Sequence, residues 1–319
     1  MTRGIKPPPD PILEALRLAA TDERIAAEFL EARRWGDQPA CPRCGAVAVY
    51  SMRSADGERN KDHRWRCREC KRMFTVRTGT VLEESRIPLR HWCHAFWRAV
   101  SSKKGVSALQ ISRECRISYK SALYLMHRIR AAVSDKPGEA AKLSGTVEMD
   151  ATWVGGKPRY KGISKRGRGT KNAPVFGIVE RGGELRLNAV ERITSKTLKA
   201  AIAASGGVDP TTRLMSDEGT EFIGIGRALA GGHQTVKHKA KEYVRGEVHN
   251  NTIEGAFSIL QRGVYGTFHS ISRKHLPRYL AEFEFRYNTR KLSDSERVGI
   301  AIRKAQGKRL LYADQVAGR

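Results

Sequence analysis

The chain has 319 residues, 40% hydrophobic and 29% charged, which is enough for two or three compact units and argues against a disordered or fibrous polymer. Lys and Arg outnumber Asp and Glu by 59 to 33, a net charge of +26, so the expected partner is a polyanion, with nucleic acid leading. No apolar run approaches the roughly 20 residues of a spanning helix, and the start MTRGIKPPPD lacks the apolar centre of a secretory signal; the expectation is a cytoplasmic, nucleoid-associated protein with no membrane partner.

Residues 1–34 read as an N-terminal helical arm, because 12–34 carry apolar residues at helical spacing with little Gly or Pro. From Trp35 to Thr80 the texture changes to Cys, Gly, Arg and aromatic residues in short alternating runs, as in small hairpins. Within this module Cys41 and Cys44 form one Cys-x-x-Cys pair and Cys67 and Cys70 another, with 22 residues between the pairs. Each pair offers two thiolates from a tight turn, and four soft sulfur ligands select a structural Zn²⁺. Trp65 and Phe74 supply the apolar support that so small a module needs. Arg43, Arg64, Arg66, Arg68, Lys71 and Arg72 could bring the ribbon to DNA; a purely structural zinc is the competing reading. Cys93 and Cys115 stand alone in apolar stretches.

Residues 86–134 return to helical periodicity, with breaks at Lys104-Gly105 and near Cys115–Ser118, so three helices are expected. The second break gives helix-turn-helix texture, with Tyr119, Lys120, Arg128 and Arg130 on the second helix as candidate DNA contacts. A plain helical hairpin has the same pattern.

Residues 145–292 mix strand and helix patterns. Asp150 ends the run Val147-Glu148-Met149-Asp150 and Asp217 ends Arg213–Asp217, so both are expected at strand termini. Two carboxylates projecting side by side could hold Mg²⁺, which takes oxygen ligands, and a pair of such ions suits phosphodiester transfer. A third ligand is expected from Asn251–Leu260, where Ile253, Phe257 and Leu260 mark a helix and Glu254 lies one step off its apolar face. Taken singly, each acid is more often a solvated surface charge or a cap than a ligand; the three together are far more specific.

Between the first two acids, Lys157–Lys171 packs seven Lys/Arg, including Lys157, Lys165, Arg166 and Arg168, and reads as a phosphate-following loop. His233, His238, His249 and His269 crowd the last third; His249 is nearest to Glu254 and is the strongest candidate among them for proton transfer. The aromatic residues Tyr265, Phe268, Tyr279, Phe283, Phe285 and Tyr287 have near-helical spacing and are expected in the core. Residues 293–319 read as a terminal helix and a loose end.

The block HNNTIEGAFSILQRGVYGTFHSISRKHLPRYLAEFEFRYNTR (249–290), the motif VEMDATWVGGK (147–157) and the paired Cys-x-x-Cys ribbon together resemble the zinc-ribbon DDE transposases of the insertion-sequence family numbered 1595, the ISXO-like group. The likeness runs in order over roughly residues 20–295. It implies an α/β multi-domain chain with a ribonuclease-H-like mixed-sheet core behind the zinc ribbon and helix-turn-helix-like module. It also implies Mg²⁺ or Mn²⁺ as catalytic cofactor, with Asp150, Asp217 and Glu254 as the catalytic and metal-binding triad. The implied partner is double-stranded DNA, as terminal inverted repeats and a target, met by a homo-oligomer. In such proteins the first motif usually continues Asp-Glu-Thr, whereas Ala151 follows here; a Lys usually stands seven residues after the helical Glu, whereas Gln261 stands here. Arg262, next to it, could offer its charge to a phosphate. The readings that compete with strand cleavage and transfer are a zinc-ribbon regulator derived from a transposase and a general nuclease.

Overall fold

The structure is a computed structural model describing residues 10–135, 140–155, 172–236, 240, 242 and 244–316. It divides into two compact units, one formed by Met1–Ser102, Ala108–Val133 and Leu292–Arg319, the other by Lys103–Ser107 and Ser134–Lys291.

In the first unit α1 (Pro11–Ala19) starts at Asp10, whose side chain accepts from the Ile12 and Leu13 amides at 3.0 and 3.2 Å, and α2 (Glu23–Trp35) starts the same way at Asp22. The ribbon is an antiparallel sheet of β1 (Val49–Ser51), β2 (Trp65–Cys67) and β3 (Met73–Phe74), with Trp35 packed edge-on against both Trp65 and Phe74. The ribbon is seated on α2 by Glu31, which is buried and accepts from Trp65 Nε1 at 2.8 Å and Arg59 at 2.6 Å. Three helices follow, α3 (Leu89–Ser101), α4 (Ala108–Cys115) and α5 (Tyr119–Val133). Pro88 cannot cap α3 with its side chain, so Glu23 of α2 accepts from the Leu89 and Arg90 amides instead, at 2.7 and 3.2 Å.

The second unit is built on a five-stranded mixed sheet. Its elements in chain order are β4 (Thr146–Val154), β5 (Ala173–Glu180), β6 (Leu185–Ala189), α6 (Ser195–Ala204), β7 (Arg213–Ser216), α7 (Thr220–Gly226) and β8 (His233–Thr235). They continue with β9 (Val244–Arg245), β10 (Val248–His249), α8 (Asn251–Gly263), a π-helical turn Val264–Phe268 and α9 (Leu276–Asn288). Strand order is β6-β5-β4-β7-β8, antiparallel among the first three and parallel from β4 through β8. Alternation along the strands feeds two cores. Val147, Met149, Phe176, Ile178 and Leu214 join Leu198 and Phe222 on one face, while Val154, Val175 and Val179 meet Ile253, Phe257, Leu260, Leu280 and Phe283 on the other. In β4 the odd positions therefore point toward α6 and α7, and the even positions Glu148, Asp150 and Thr152 share the face of α8.

The chain returns to the first unit in α10 (Asp294–Lys304), opened by a Ser293–Glu296 capping box, and α11 (Tyr312–Val316).

Candidate functional site

The four ribbon cysteines come together as the pairing of the sequence requires. Their Sγ atoms all lie within 4.8 Å of one another, and the closest cross-pair distances, Cys41 to Cys70 and Cys44 to Cys67, are both 3.7 Å. Four sulfurs about 2.3 Å from one ion at tetrahedral angles stand about 3.8 Å apart, so this cluster has the dimensions of a Zn²⁺ site, and the spacing is too long for disulfides. Burial raises the Cys41 thiol, but the amides of Arg43 and Cys44 and the neighbouring thiols outweigh it and bring it down to about 7, toward the thiolate that a metal needs. Arg43, Arg64, Arg66, Arg68, Lys71 and Arg72 are exposed around this closed centre.

The acidic site is made by strand register. β4 and β7 pair in parallel from Thr146 with Arg213 to Met149 with Ser216, so Asp150 and Asp217 come next on each chain, side by side beyond the carboxyl end of the parallel pairing. Here the strand order reverses direction, with β5 and β6 to one side and β8 to the other, which is where open α/β sheets present a crevice to ligands. The expectation that Asp150 ends its strand is corrected. β4 runs on to Val154 because β5 pairs with it from Val147 to Val154, and only the β7 side stops at Met149. Asp217 follows β7 directly and is oriented by the Gly219 amide, which donates to its Oδ1 at 2.9 Å.

Glu254 stands exposed in the first turn of α8. That helix lies close on the sheet because Gly177, the antiparallel partner of Asp150, has no side chain; a Cβ there would sit 2.7 Å from Phe257 and 2.8 Å from Ile253. Desolvation pushes the Asp150 carboxyl up to about 7, and the charges of Asp217, Glu254 and Glu221 push it the same way against the opposing hydrogen bond from the Ala151 amide. Among the described residues these carboxylates are not drawn within the 4.8 Å span that the cysteines reach. A buried aspartate raised by three neighbouring acids, with oxygen donors only, suits a hard divalent cation, which would relieve the repulsion at Asp150.

The other expected site residues are divided. Tyr119 and Lys120 are exposed at the start of α5, after a turn in which Arg116 takes φ 53° in place of the glycine common there. The expected DNA contact by Arg128 and Arg130 is corrected, since both are buried, at 2% and 1% exposure. Arg128 donates to the carbonyls of Val81, Glu83 and Leu310 at 2.7–3.1 Å, because α5 is the central helix of its unit and its second half faces inward all round. Arg262 is exposed and folds back on Ser258, on the same stripe of α8 as Glu254 and about 12 Å farther along the helix. Lys157, Lys165, Arg166 and Arg168 lie outside the described residues, as does His238.

Gln261 donates to Trp153 O at 2.9 Å and to Thr152 at 3.3 Å, so it ties α8 to β4 instead of presenting a cation. His233 is spent on Ser216, at 2.8 Å, with burial lowering its pKa. Phe283 and Phe285 are buried as expected, whereas Tyr265 is 39% exposed. Three residues escaped the sequence reading: Glu148, Gly177 and Asn250. Glu148 and Gly177 each interrupt an apolar run, and Asn250 sits in a polar stretch ahead of a helix; each signal is ambiguous until the partner element is known.

Residues 21–73 match the transposase zinc-ribbon domain and residues 142–288 the ISXO2-like transposase domain. A protein of Halobacterium salinarum described as an uncharacterized protein in transposable element ISH50 is 30% identical over 278 residues, which cover 83% of this chain and 90% of the relative. The similarity to a chain from the cryo-EM structure of the simian T-cell lymphotropic virus intasome in complex with PP2A regulatory subunit B56 gamma is slight, with a TM-score of 0.28 at 14% identity over 58% of this chain and 66% of that one. No described helix is long and apolar enough to cross a membrane. The ribbon and the mixed-sheet unit are thus matched in the order in which they occur, and the chain belongs to the ISXO2-like transposase family.

Proposed function

We propose that this chain binds the terminal inverted repeats of its insertion sequence and cleaves and transfers DNA strands at a ribonuclease-H-like site formed by Asp150, Asp217 and Glu254. The observation that carries the reading is the register of β4 and β7, which sets two carboxylates side by side at the reversal of the sheet, with Glu254 close enough to raise Asp150. Asp150, Asp217 and Glu254 would hold Mg²⁺ or Mn²⁺, which when bound activates an attacking oxygen and stabilises the leaving one. Asp217 is held by the Gly219 amide, and Asp150 by that of Ala151, so neither has to reorganise to receive a cation. The exposed basic rim of the ribbon and the exposed Tyr119 and Lys120 supply the phosphate-facing surface, and assembly of more than one copy on DNA belongs to the same reading.

The test is Mg²⁺-dependent nicking and joining of duplexes carrying the repeats that flank the gene. Asp150→Asn and Asp217→Asn should each lower cleavage at least about a hundredfold while leaving repeat binding unchanged. Full strand transfer by both variants would sink the assignment. Gln261, bound to β4 where the family resemblance leads one to expect a lysine, favours a second reading as a regulator that binds repeats without cutting. Repeat binding with no nicking in Mg²⁺ or Mn²⁺ would select that reading, and nicking without preference for the repeats would select a general nuclease.

A further inference from the structure

The residue two places before Asp150 has a role that the carboxylate triad does not account for. Glu148 is fully buried in the middle of the sheet, at 0% exposure, on the same face of β4 as Asp150. Its Oε2 accepts from the amides of Thr252 at 2.8 Å and Ile253 at 3.0 Å, and its Oε1 accepts from the Thr252 hydroxyl at 2.9 Å and from Arg181 Nε at 2.7 Å. The two amides belong to the first turn of α8, where unpaired N–H groups and the helix dipole both favour a negative charge. Arg181, between β5 and β6, continues the network by donating to the carbonyls of Glu247 and His249 at 2.8 and 2.9 Å, and His249 Nδ1 lies 3.3 Å from Glu148. The strand that carries Asp150 therefore grips the helix that carries Glu254 immediately before that residue.

Asn250 closes the other side. It is 2% exposed at the start of α8. In one amide orientation it reaches Met149 O at 3.4 Å; in the reversed one, which satisfies both ends, it donates to Met215 O at 3.3 Å and accepts from the Asp217 amide at 2.9 Å. Met149, Met215 and Asp217 lie where β4 and β7 deliver the two aspartates.

We infer that Glu148 and Asn250 are positioning residues, a buried polar clamp that fixes the three carboxylates relative to one another and so sets the affinity of the site for a divalent cation. The clamp rests on the proposed triad and deepens it. Glutamine in place of Glu148 keeps the shape but turns an NH₂ group toward helix amides or toward Arg181, whichever way it is placed, so one end of the grip is lost. Support for ligands from groups behind them is worth 10–100-fold in metal affinity.

The experiment titrates Mn²⁺ into the full chain, followed by electron paramagnetic resonance, with circular dichroism and repeat binding measured on the same samples. Wild type, Asp150→Asn, Glu148→Gln, Asn250→Ala and Thr252→Val are compared. Asp150→Asn should abolish the tight Mn²⁺ site. Glu148→Gln and Asn250→Ala should each weaken it at least about tenfold with ellipticity and repeat binding unchanged, and Thr252→Val, which spares the carboxylate and the amides, should stay within about threefold. The two clamp variants are independent, so one that fails to fold leaves the other to decide. Mn²⁺ affinity within twofold of wild type in a folded clamp variant overturns the clamp and leaves the triad standing. Mn²⁺ binding that ignores Asp150→Asn overturns both.

Discussion

The ribbon and the sheet site assemble their donor groups in opposite ways. In the ribbon, two short turns bring four thiols to within tetrahedral distance, and each pair is local in sequence. In the sheet unit, three carboxylates come from a strand, the turn after a second strand and a helix, and the charges of the other two raise Asp150. The ribbon cannot bury a core unaided, so the ion supplies folding energy there. The carboxylate site is held by the fold around it and by buried polar groups such as Glu148, so that the cation proposed for it would be a reagent and not a strut. A site that stabilises its module is closed and soft; one proposed to do chemistry is strained by like charge, open on one side and supported from behind.

The largest effect is expected from Cys67→Ser. Structural zinc contributes about 10–16 kcal/mol to small modules of this kind, so the variant should lose bound zinc and unfold the ribbon, as read by metal analysis and near-ultraviolet dichroism. Mn²⁺ binding at the sheet site should survive; joint loss would break the distinction between the two sites. The converse perturbation is Gly177→Val. Its side chain would collide with Phe257 and Ile253, so it should destabilise the sheet unit by about 1–3 kcal/mol in urea unfolding and weaken Mn²⁺ binding while zinc content stays at the wild-type level.

Proton competition sharpens the contrast. Asp150 is raised to about 7 from an ordinary 3.8, so in the metal-free chain the folded state keeps a proton that the unfolded chain has lost. Its contribution to stability is complete below pH 4 or so and is lost as pH rises to about 7. A cation needs the deprotonated form, so apparent Mn²⁺ affinity should fall about tenfold per pH unit below 7 and level off above it. A flat profile between pH 5 and 7 would remove Asp150 from the ligand set. The smallest effect is expected at Glu31→Gln, which retains an acceptor for Trp65 but loses the ion pair with Arg59. Unfolding free energy should drop by about 1 kcal/mol with zinc retained.

Much of this was legible in the chain. The Cys-x-x-Cys spacing announced the ribbon, and the breaks at Lys104-Gly105 and Cys115–Ser118 separated α3, α4 and α5 where the structure does. Residues whose surroundings are set by a partner distant in sequence were not legible in this way. Arg128 and Arg130 looked like DNA contacts in a chain of charge +26, yet α5 is surrounded by other helices and draws them inward. Glu148 looked like one polar residue in an apolar strand, because the amides it caps are 104 and 105 residues away.

The soft-metal module and the basic character follow from the order and kind of residues, since ligand spacing and net charge are local or additive properties. So do the periodicities that divide helix from strand. Tertiary structure alone decided that Asp150 and Asp217 are neighbours, because only the parallel register of β4 and β7 aligns them. It decided likewise that α8 can approach over Gly177 and be gripped by Glu148. Those relations arise from packing between elements, where a glycine or a buried acid acquires its meaning from the residue it meets.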